Sequence, residues 1–518
     1  MSDTVNNSLS PRLARTATYA YFAVVALVGI SPSKGFSIAA RVVLCLSIAY
    51  AYFLGSYDFA SWISTKRKVR LFCLLQLLGW LMLIPVEFYS FEYNNFDTGI
   101  FANNITQWRE TGRYYSSIFG MHAFGDHFTP NLILFAPLFS LWKSFLWLPI
   151  VKVLAWAWSI YLLIRFSQDV LGESSRFQYL VPGIYLLNQF VANTLLMEFQ
   201  PSCLTIPLIV LAFRLAYKEK IVSLTAVLLV ILGFKEHLGV IWISLGLFLM
   251  LEKRKPLLGL TLLTLGTFEG LLVYQWLMPL FAGGEVHHNA RIGPFTGIPK
   301  KMTLLMTAII SFGGLPVLAR YGLIYSLPGF VLVLMGGDPS MQSFDHHYHD
   351  IGFILLACSS ILGLRSLQNR DYVGIFTPQR IANCVVLLVL SQAIRFPTFY
   401  IQREWPSREQ IAMHSDLAKI KLYIADYSPQ EIWTLDHLGP YFSELPNLKS
   451  ISNPELPTPP AESARRVIVI SPIVKSYPLL PSEYQRLESY LKAHYMDVTT
   501  SARITAEVRV FVSKGTKL

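Results

Sequence analysis

Apolar runs long enough to cross a bilayer recur from Thr16 to about position 396, separated by short turns rich in Lys and Arg. Few arrangements hide that much apolar surface from water other than a bundle of helices in lipid, where each helix satisfies its own backbone. The runs fall at 16–30, 39–59, 71–89, 150–167, 177–197, 203–217, 221–235, 238–251, 257–281, 303–318, 321–335, 350–366 and 380–396. Allowing about 20 residues per crossing, with several runs shorter than that, they amount to about thirteen spans. Only 14% of residues are charged and 53% are hydrophobic, against roughly 25% charged in soluble domains. The mean hydropathy of +0.44 agrees.

The net charge of +11 is not a nucleic-acid signature, because the basic residues cluster in the turns between apolar runs. Lys and Arg collect on the cytoplasmic side of membrane proteins. Arg12 and Arg15 precede the first run, and Lys66, Arg67, Lys68 and Arg70 follow the second. Both therefore belong inside the cell, with the N-terminus. The alternation then puts the turns near Arg165, Arg214, Lys218, Lys253, Arg320 and Arg365 inside. Residues 90–130, Glu198, Lys235 to His237, His287 to Arg291, and Asp338 to Asp350 fall outside. The run 131–148, interrupted by Lys143 and followed by Pro149, reads as interfacial or re-entrant.

Other classes lack their motifs. All five cysteines lie in or at the ends of apolar runs, none in a CxxC pair, so neither a disulfide framework nor a cysteine zinc site is expected. The polar opening MSDTVNNSLSPRLAR gives no sign of a cleaved signal peptide. No P-loop, GxSxG or GxGxxG stands in a strand–helix context.

Beyond Pro397 the composition turns soluble. Residues 431–435, 466–470 and 508–512 read as β-strands, and 482–494 as a helix from the spacing of Tyr484, Leu487, Tyr490 and Leu491; 454–460 reads as a linker. The chain therefore divides into an N-terminal pair of spans (1–69), a membrane domain (70–400) with a large outer loop (90–130), and a small α/β extracytoplasmic domain (401–518).

Ionisable residues near a bilayer are costly and mark function more often than chance. Here they gather on the outer side. Asp97 follows the third span by a few residues, and Asp126 and His127 close the same loop. A carboxylate there is placed to act as general base toward an acceptor hydroxyl. The competing reading makes Asp97 the cap of a helix over 98–110 and Asp126 a turn residue. Lys235 is suited to a lipid phosphate, unless it pairs with Glu236 beside His237. His287, His288 and Arg291 stand in a Gly-containing loop that fits an anionic head group, or simply solvent. Residues 345–350, with His346, Tyr348 and His349, are dense in imidazoles but too close in sequence to satisfy tetrahedral zinc easily, so they read as substrate-lining.

The motifs FDTGIF (96–101), GDHFTP (125–130), EFQPS (198–202), FKEH (234–237) and HYHD (347–350), in this order, resemble an uncharacterised family of bacterial polytopic membrane proteins grouped with the GT-C glycosyltransferases. The resemblance spans roughly residues 70–400 and implies a GT-C-like all-α fold, a polyprenyl-phosphate sugar donor, and a catalytic carboxylate in the first large outer loop, where Asp97 stands. Three positions depart from the family's pattern: Gln200 and Ser202 replace His and Glu, and His237 replaces an acid. The expected function is therefore a membrane glycosyltransferase at the outer face of the cell inner membrane. Its partners would be membrane lipid, a lipid-linked sugar donor and an acceptor the sequence does not name. The sequence offers no metal set and leaves a divalent cofactor open. A lipid or solute transporter or flippase, supported by Glu269 within an apolar run, is the alternative, and a non-catalytic scaffold a third.

Overall fold

The computed structural model describes residues 66–175, 177–284, 293–343, 346–369, 405–452, 465–476, 478–500, 504 and 508–514. The expected N-terminal pair of spans, the span 380–396, the linker 454–460 and the loop bearing His287, His288 and Arg291 lie outside these residues.

Long apolar runs became helices. Among the described residues four are long and apolar enough to cross a membrane: Val69–Tyr89, Trp147–Leu171, Pro256–Ala282 and His347–Gln368. They are not equivalent. The most apolar stretch of His347–Gln368 is 83% buried, against 22% for Pro256–Ala282. The first therefore runs through the bundle's centre, and the second turns most of its apolar surface outward. Other apolar runs are shorter or broken: the run 177–197 splits into Leu180–Leu187 and Gln189–Leu196 around Asn188, and 321–335 splits into three short pieces. The run after Pro130 forms a 3-10 turn and a short helix ending at Leu141, half of a crossing, held where Asn131 donates its backbone N–H to Gly233 and its side-chain amide to Val230.

Two neighbouring helices, Gly239–Leu251 and Pro256–Leu272, pack through small residues. Gly239 meets Gly266, and Gly246 meets Gly259, so closely that a methyl group on any of them would strike the facing backbone. Close backbone approach through small residues is how membrane helices gain packing without a hydrophobic driving force.

The ends of the bundle sort by charge. At one end Arg214 and Lys218 hold Asp169, Lys253 and Lys255 hold Glu219, and Arg365 bonds the Tyr217 hydroxyl. At the other end lie the outer-loop motifs. The basic turns and the polar motifs thus separate along the bundle as the sequence alternation requires.

Past residue 405 the chain forms the small α/β domain. Helix Arg408–Tyr427 starts with a capping box between Ser407 and Gln410. A hairpin in the outer loop supplies β1 (Tyr115–Ser116) and β2 (Met121–His122); the C-terminal sheet contains β3 (Glu431–Thr434), β4 (Leu448–Ser450), β5 (Arg466–Ile470), β6 (Tyr495–Asp497) and β7 (Arg509–Ser513). Its strand order is β4-β3-β5-β7-β6, parallel across the first three and antiparallel across the last three. Strands β4 and β6 were not foreseen; each is three residues long, too short to show alternation. The helix expected over 482–494 is Pro481–His494.

This domain is not a loose appendage. Phe88, Phe91 and Phe145 of the membrane part enclose Tyr441 and His414, with Phe91 stacked on His414 at 4.5 Å and Phe145 edge-on to Tyr441 at 5.3 Å. Apolar burial is continuous from Trp80 and Ile84 to Met413, Leu438 and Phe442.

Candidate active site

The loop that carries Asp97 leaves helix Lys66–Tyr89 through Phe91, whose φ of 58° lies in the left-handed region bulky residues avoid. It then forms a single π-turn, Asn95–Gly99, before helix Ile100–Thr111. Every N–H of this turn has a partner. Asn94 and Thr98 donate to Glu198 Oε2 at 2.9 and 3.2 Å, Asn95 donates to Asp436 Oδ1 at 3.0 Å, and Asp97 donates to Asn94 Oδ1 at 3.1 Å. Phe96 also donates to Asp436, and Gly99 to the Asn94 carbonyl at 2.8 Å. The capping side chain is thus Asn94. The Asp97 carboxylate caps no helix, contrary to the competing expectation, and is left to reach elsewhere.

It reaches Gln200. The Gln200 amide donates to Asp97 Oδ1, while its Oε1 accepts from Lys235 Nζ at 2.6 Å. One amide therefore joins a carboxylate and an ammonium, and both Gln200 and Lys235 are buried. The expected alternative pairing of Lys235 with Glu236 does not occur. Glu236 turns away, taking His127 Nδ1 at 3.1 Å and the Phe128 N–H at 3.3 Å. Adjacent residues at a tight turn point in different directions, which sequence proximity conceals.

Charge states follow from these neighbours. Burial pushes the Asp97 carboxyl up; Lys235, His127 and His346 pull it down and Asp126 pushes it up again, leaving it above the ordinary aspartate value. Burial, then the Asp97 charge, holds Glu198 well above the usual glutamate value. Burial also raises Glu236, but His127 and Lys235 outweigh it, so this carboxylate stays well below its usual value. Burial opposes protonation of His127, yet Asp126 and Glu236 prevail and raise it. Burial and then Lys235 push His237 down to about 3, so it is a neutral imidazole. The site contains two half-buried carboxylates of raised affinity for protons, Asp97 and Glu198, a nearby ammonium, and a His–Glu pair.

The other anticipated residues divide. Asp126 ends the short helix Ala123–Asp126 and is 3% exposed, near enough for its charge to act on Asp97. His346 faces Asp97 electrostatically, and Tyr348 packs on His347 with ring centroids 4.3 Å apart. His349 is fully buried and pairs through Nε2 with the Phe190 carbonyl at 3.0 Å. Ser202 likewise turns from Asp97 and donates to Asp350 at 2.8 Å. Among the described residues no three His, Cys, Asp or Glu side chains converge as a metal set. Glu198, Gln200 and Asp436 are the contributors sequence reasoning left out of the site. The first two stand in the EFQPS motif; nothing in the sequence near Asp436 marks it.

No curated protein matches the chain. Among solved structures, ArnT from Cupriavidus metallidurans in the apo state aligns with a TM-score of 0.50 at 12% identity, covering 85% of this chain and 98% of that one. The same protein bound to undecaprenyl phosphate aligns at 0.48 and 10%, covering 84% and 98%. The fold is therefore like that of ArnT. Residues 87–425, well over half of the chain, match the family described as predicted membrane protein DUF2079, and the chain belongs to that family.

Proposed function

We propose that this chain is a GT-C-like glycosyltransferase that takes a sugar from a polyprenyl-phosphate carrier at the outer face of the cell inner membrane. The observation that carries this is the Asp97–Gln200–Lys235 chain, set on a loop directly after a membrane helix. In the proposed step the acceptor hydroxyl gives its proton to Asp97 as its oxygen attacks the anomeric carbon. The bond from that carbon to the phosphate oxygen breaks, and its electron pair leaves on polyprenyl phosphate. Lys235 faces the charge that accumulates on the leaving phosphate, with charge-assisted hydrogen bonds from its remaining N–H donors. His127, held by Glu236, and Asp126 flank the base. His346 acts on Asp97 electrostatically, with Tyr348 beside it; His288 and Arg291 are assigned to the donor phosphate by their chemistry alone. Asp97 is raised toward the operating pH, which improves a carboxylate as general base. The ArnT-like fold supports this reading at the level of architecture; about thirteen spans and an extracytoplasmic C-terminus are part of the proposal itself.

The test is release of polyprenyl phosphate from a panel of polyprenyl-phosphate monosaccharides by the protein in liposomes, alongside lipid and glycan profiles of a deletion strain complemented with wild type or Asp97→Ala. Donor cleavage by wild type that is lost in Asp97→Ala supports the reading; no cleavage by wild type sinks it, and cleavage retained in Asp97→Ala removes Asp97 as the base. The transporter alternative draws on Glu269, which lies inside helix Pro256–Leu272 with one carboxylate oxygen buried and without a hydrogen-bond partner. Movement of the intact lipid across the liposome bilayer, with no cleavage, would favour it.

A further inference from the structure

The proposed base stands on the chain that leaves helix Lys66–Tyr89, and the C-terminal domain holds residues 88–96 at five points. Tyr441 donates its hydroxyl to the Phe88 carbonyl, and Gln410 its amide to the Ser90 carbonyl at 3.2 Å. His437 Nδ1 bonds the Phe91 carbonyl at 2.9 Å, on the residue whose backbone is left-handed. Lys475 pairs with Glu92 at 2.7 Å. Last, Asp436 takes the Asn95 N–H at 3.0 Å and the Phe96 N–H beside it.

Asp436 is the contact nearest the base, on the two residues just before Asp97. Glu198 of the membrane bundle grips the same turn through Asn94 and Thr98. The turn therefore lies between two carboxylates, one from each domain, and together they take four of its N–H groups. Buried N–H groups are almost always paired, and leaving one unpaired is costly. Water cannot stand in for Asp436, because Asp436 and Asn95 are both fully buried. The fit is close as well: a Cβ on Gly439 would occupy the space of the Asn95 side-chain amide.

We infer that Asp436 is a positioning residue for Asp97, so that the C-terminal domain completes the active site of the membrane domain. This rests on the glycosyltransferase reading for its consequence in turnover, but not for the clamp itself. Asp436 touches neither donor nor acceptor in this scheme. Its loss would let the turn 94–99 sample other conformations, lowering the fraction of time Asp97 spends within reach of the acceptor hydroxyl.

The experiment compares full-length wild type, Asp436→Ala and Asp436→Asn. Hydrogen exchange of the segment 92–100 is read in detergent, together with kcat and donor KM in liposomes. Asp436→Ala removes the accepting oxygen, and the Asn95 and Phe96 amides should exchange at least about tenfold faster. Its kcat should fall about tenfold or more while donor KM stays within about twofold, because Lys235 and Gln200 are untouched. Asp436→Asn keeps an accepting oxygen and should restore both exchange and kcat to near wild type. If Asp436→Ala fails to accumulate, Gly439→Ala presses on Asn95 without removing a polar group and should loosen the same segment. Wild-type exchange of residues 92–100 in Asp436→Ala, or in Gly439→Ala where that variant takes its place, overturns the inference, whatever the turnover. Loosened exchange with wild type cleaving no donor would instead sink the glycosyltransferase reading and leave the clamp standing, and loosened exchange with Asp97→Asn still cleaving donor would sink Asp97 as the base. A lowered kcat in Asp436→Ala that Asp436→Asn does not restore also overturns the positioning role.

Discussion

Replacing Asp97 with Asn separates catalysis from structure with little ambiguity, because the geometry assigns the loop's stability to other residues. The turn 94–99 is held by Asn94, Glu198 and Asp436 through backbone N–H groups, none of which involves the Asp97 carboxylate. Asn keeps an oxygen for the Gln200 amide, so the bridge survives. What vanishes is one charge, and that charge is poorly solvated: burial, ahead of any neighbour, pushes the Asp97 carboxyl above the ordinary value. For an acid raised on folding, the cost of ionisation is absent below the ordinary aspartate value, where both folded and unfolded forms are protonated. It grows as pH rises toward the folded value. Asp97→Asn should therefore be as stable as wild type near pH 4 and equal or slightly more stable at pH 7. Turnover should behave oppositely. Loss of a general base lowers rate roughly 10²–10⁴-fold, equivalent to about 3–5 kcal/mol of barrier. Donor cleavage in liposomes and thermal unfolding in detergent, both across pH 4–8, supply the two readouts. Turnover within about tenfold of wild type would refute the base assignment. A fall in Tm of many degrees accompanying lost turnover would show that the carboxylate holds the loop, and refute the separation of roles.

Further expectations follow from the same network. Gln200→Leu leaves Lys235 and Asp97 without their bridge and should cost about 2–4 kcal/mol, read as a fall in Tm. Gln200→Glu sets a second carboxylate against Asp97, so the acid limb of the rate–pH profile should move to higher pH; an unmoved limb would count against Asp97 as the titrating base. Glu236→Gln removes a carboxylate held below its usual value by His127, so its contribution is present above the ordinary glutamate value and is lost as pH falls below it. The variant should be less stable by about 1–3 kcal/mol at pH 7, with the difference narrowing below pH 4.5. Glu198→Gln has the reverse sign, because Glu198 is raised: its stability relative to wild type should improve as pH rises from about 5 to 8, and a decline over that range would contradict the assigned protonation.

What the sequence determined is what local physics determines. Runs of apolar residues have no alternative in lipid to the helix, so Lys66–Tyr89, Trp147–Leu171 and Asp350–Gln368 were legible with nearly correct ends. The basic turns sorted with them, because Arg214, Lys253 and Arg365 meet at one end of the bundle. Asp97 was legible as a candidate because an acid a few residues beyond a span is fixed near the membrane surface by the helix before it. The breaks at Asn188 and within 321–335 were not legible, since a hydropathy run does not record where its backbone turns. Partner choice was legible least. Whether Lys235 pairs with Glu236 or Gln200, and whether His349 faces substrate or the Phe190 carbonyl, depends on groups 35 to 159 residues away in the chain. Asp436 lies 341 residues from the amide it holds. No spacing rule connects positions that far apart, because only the packed core decides which loop closes against which. The sequence by itself determined the membrane bundle, its two ends and the acid at the surface; tertiary structure alone decided what orients that acid, since a buried N–H takes whichever acceptor the folded chain brings within 3 Å.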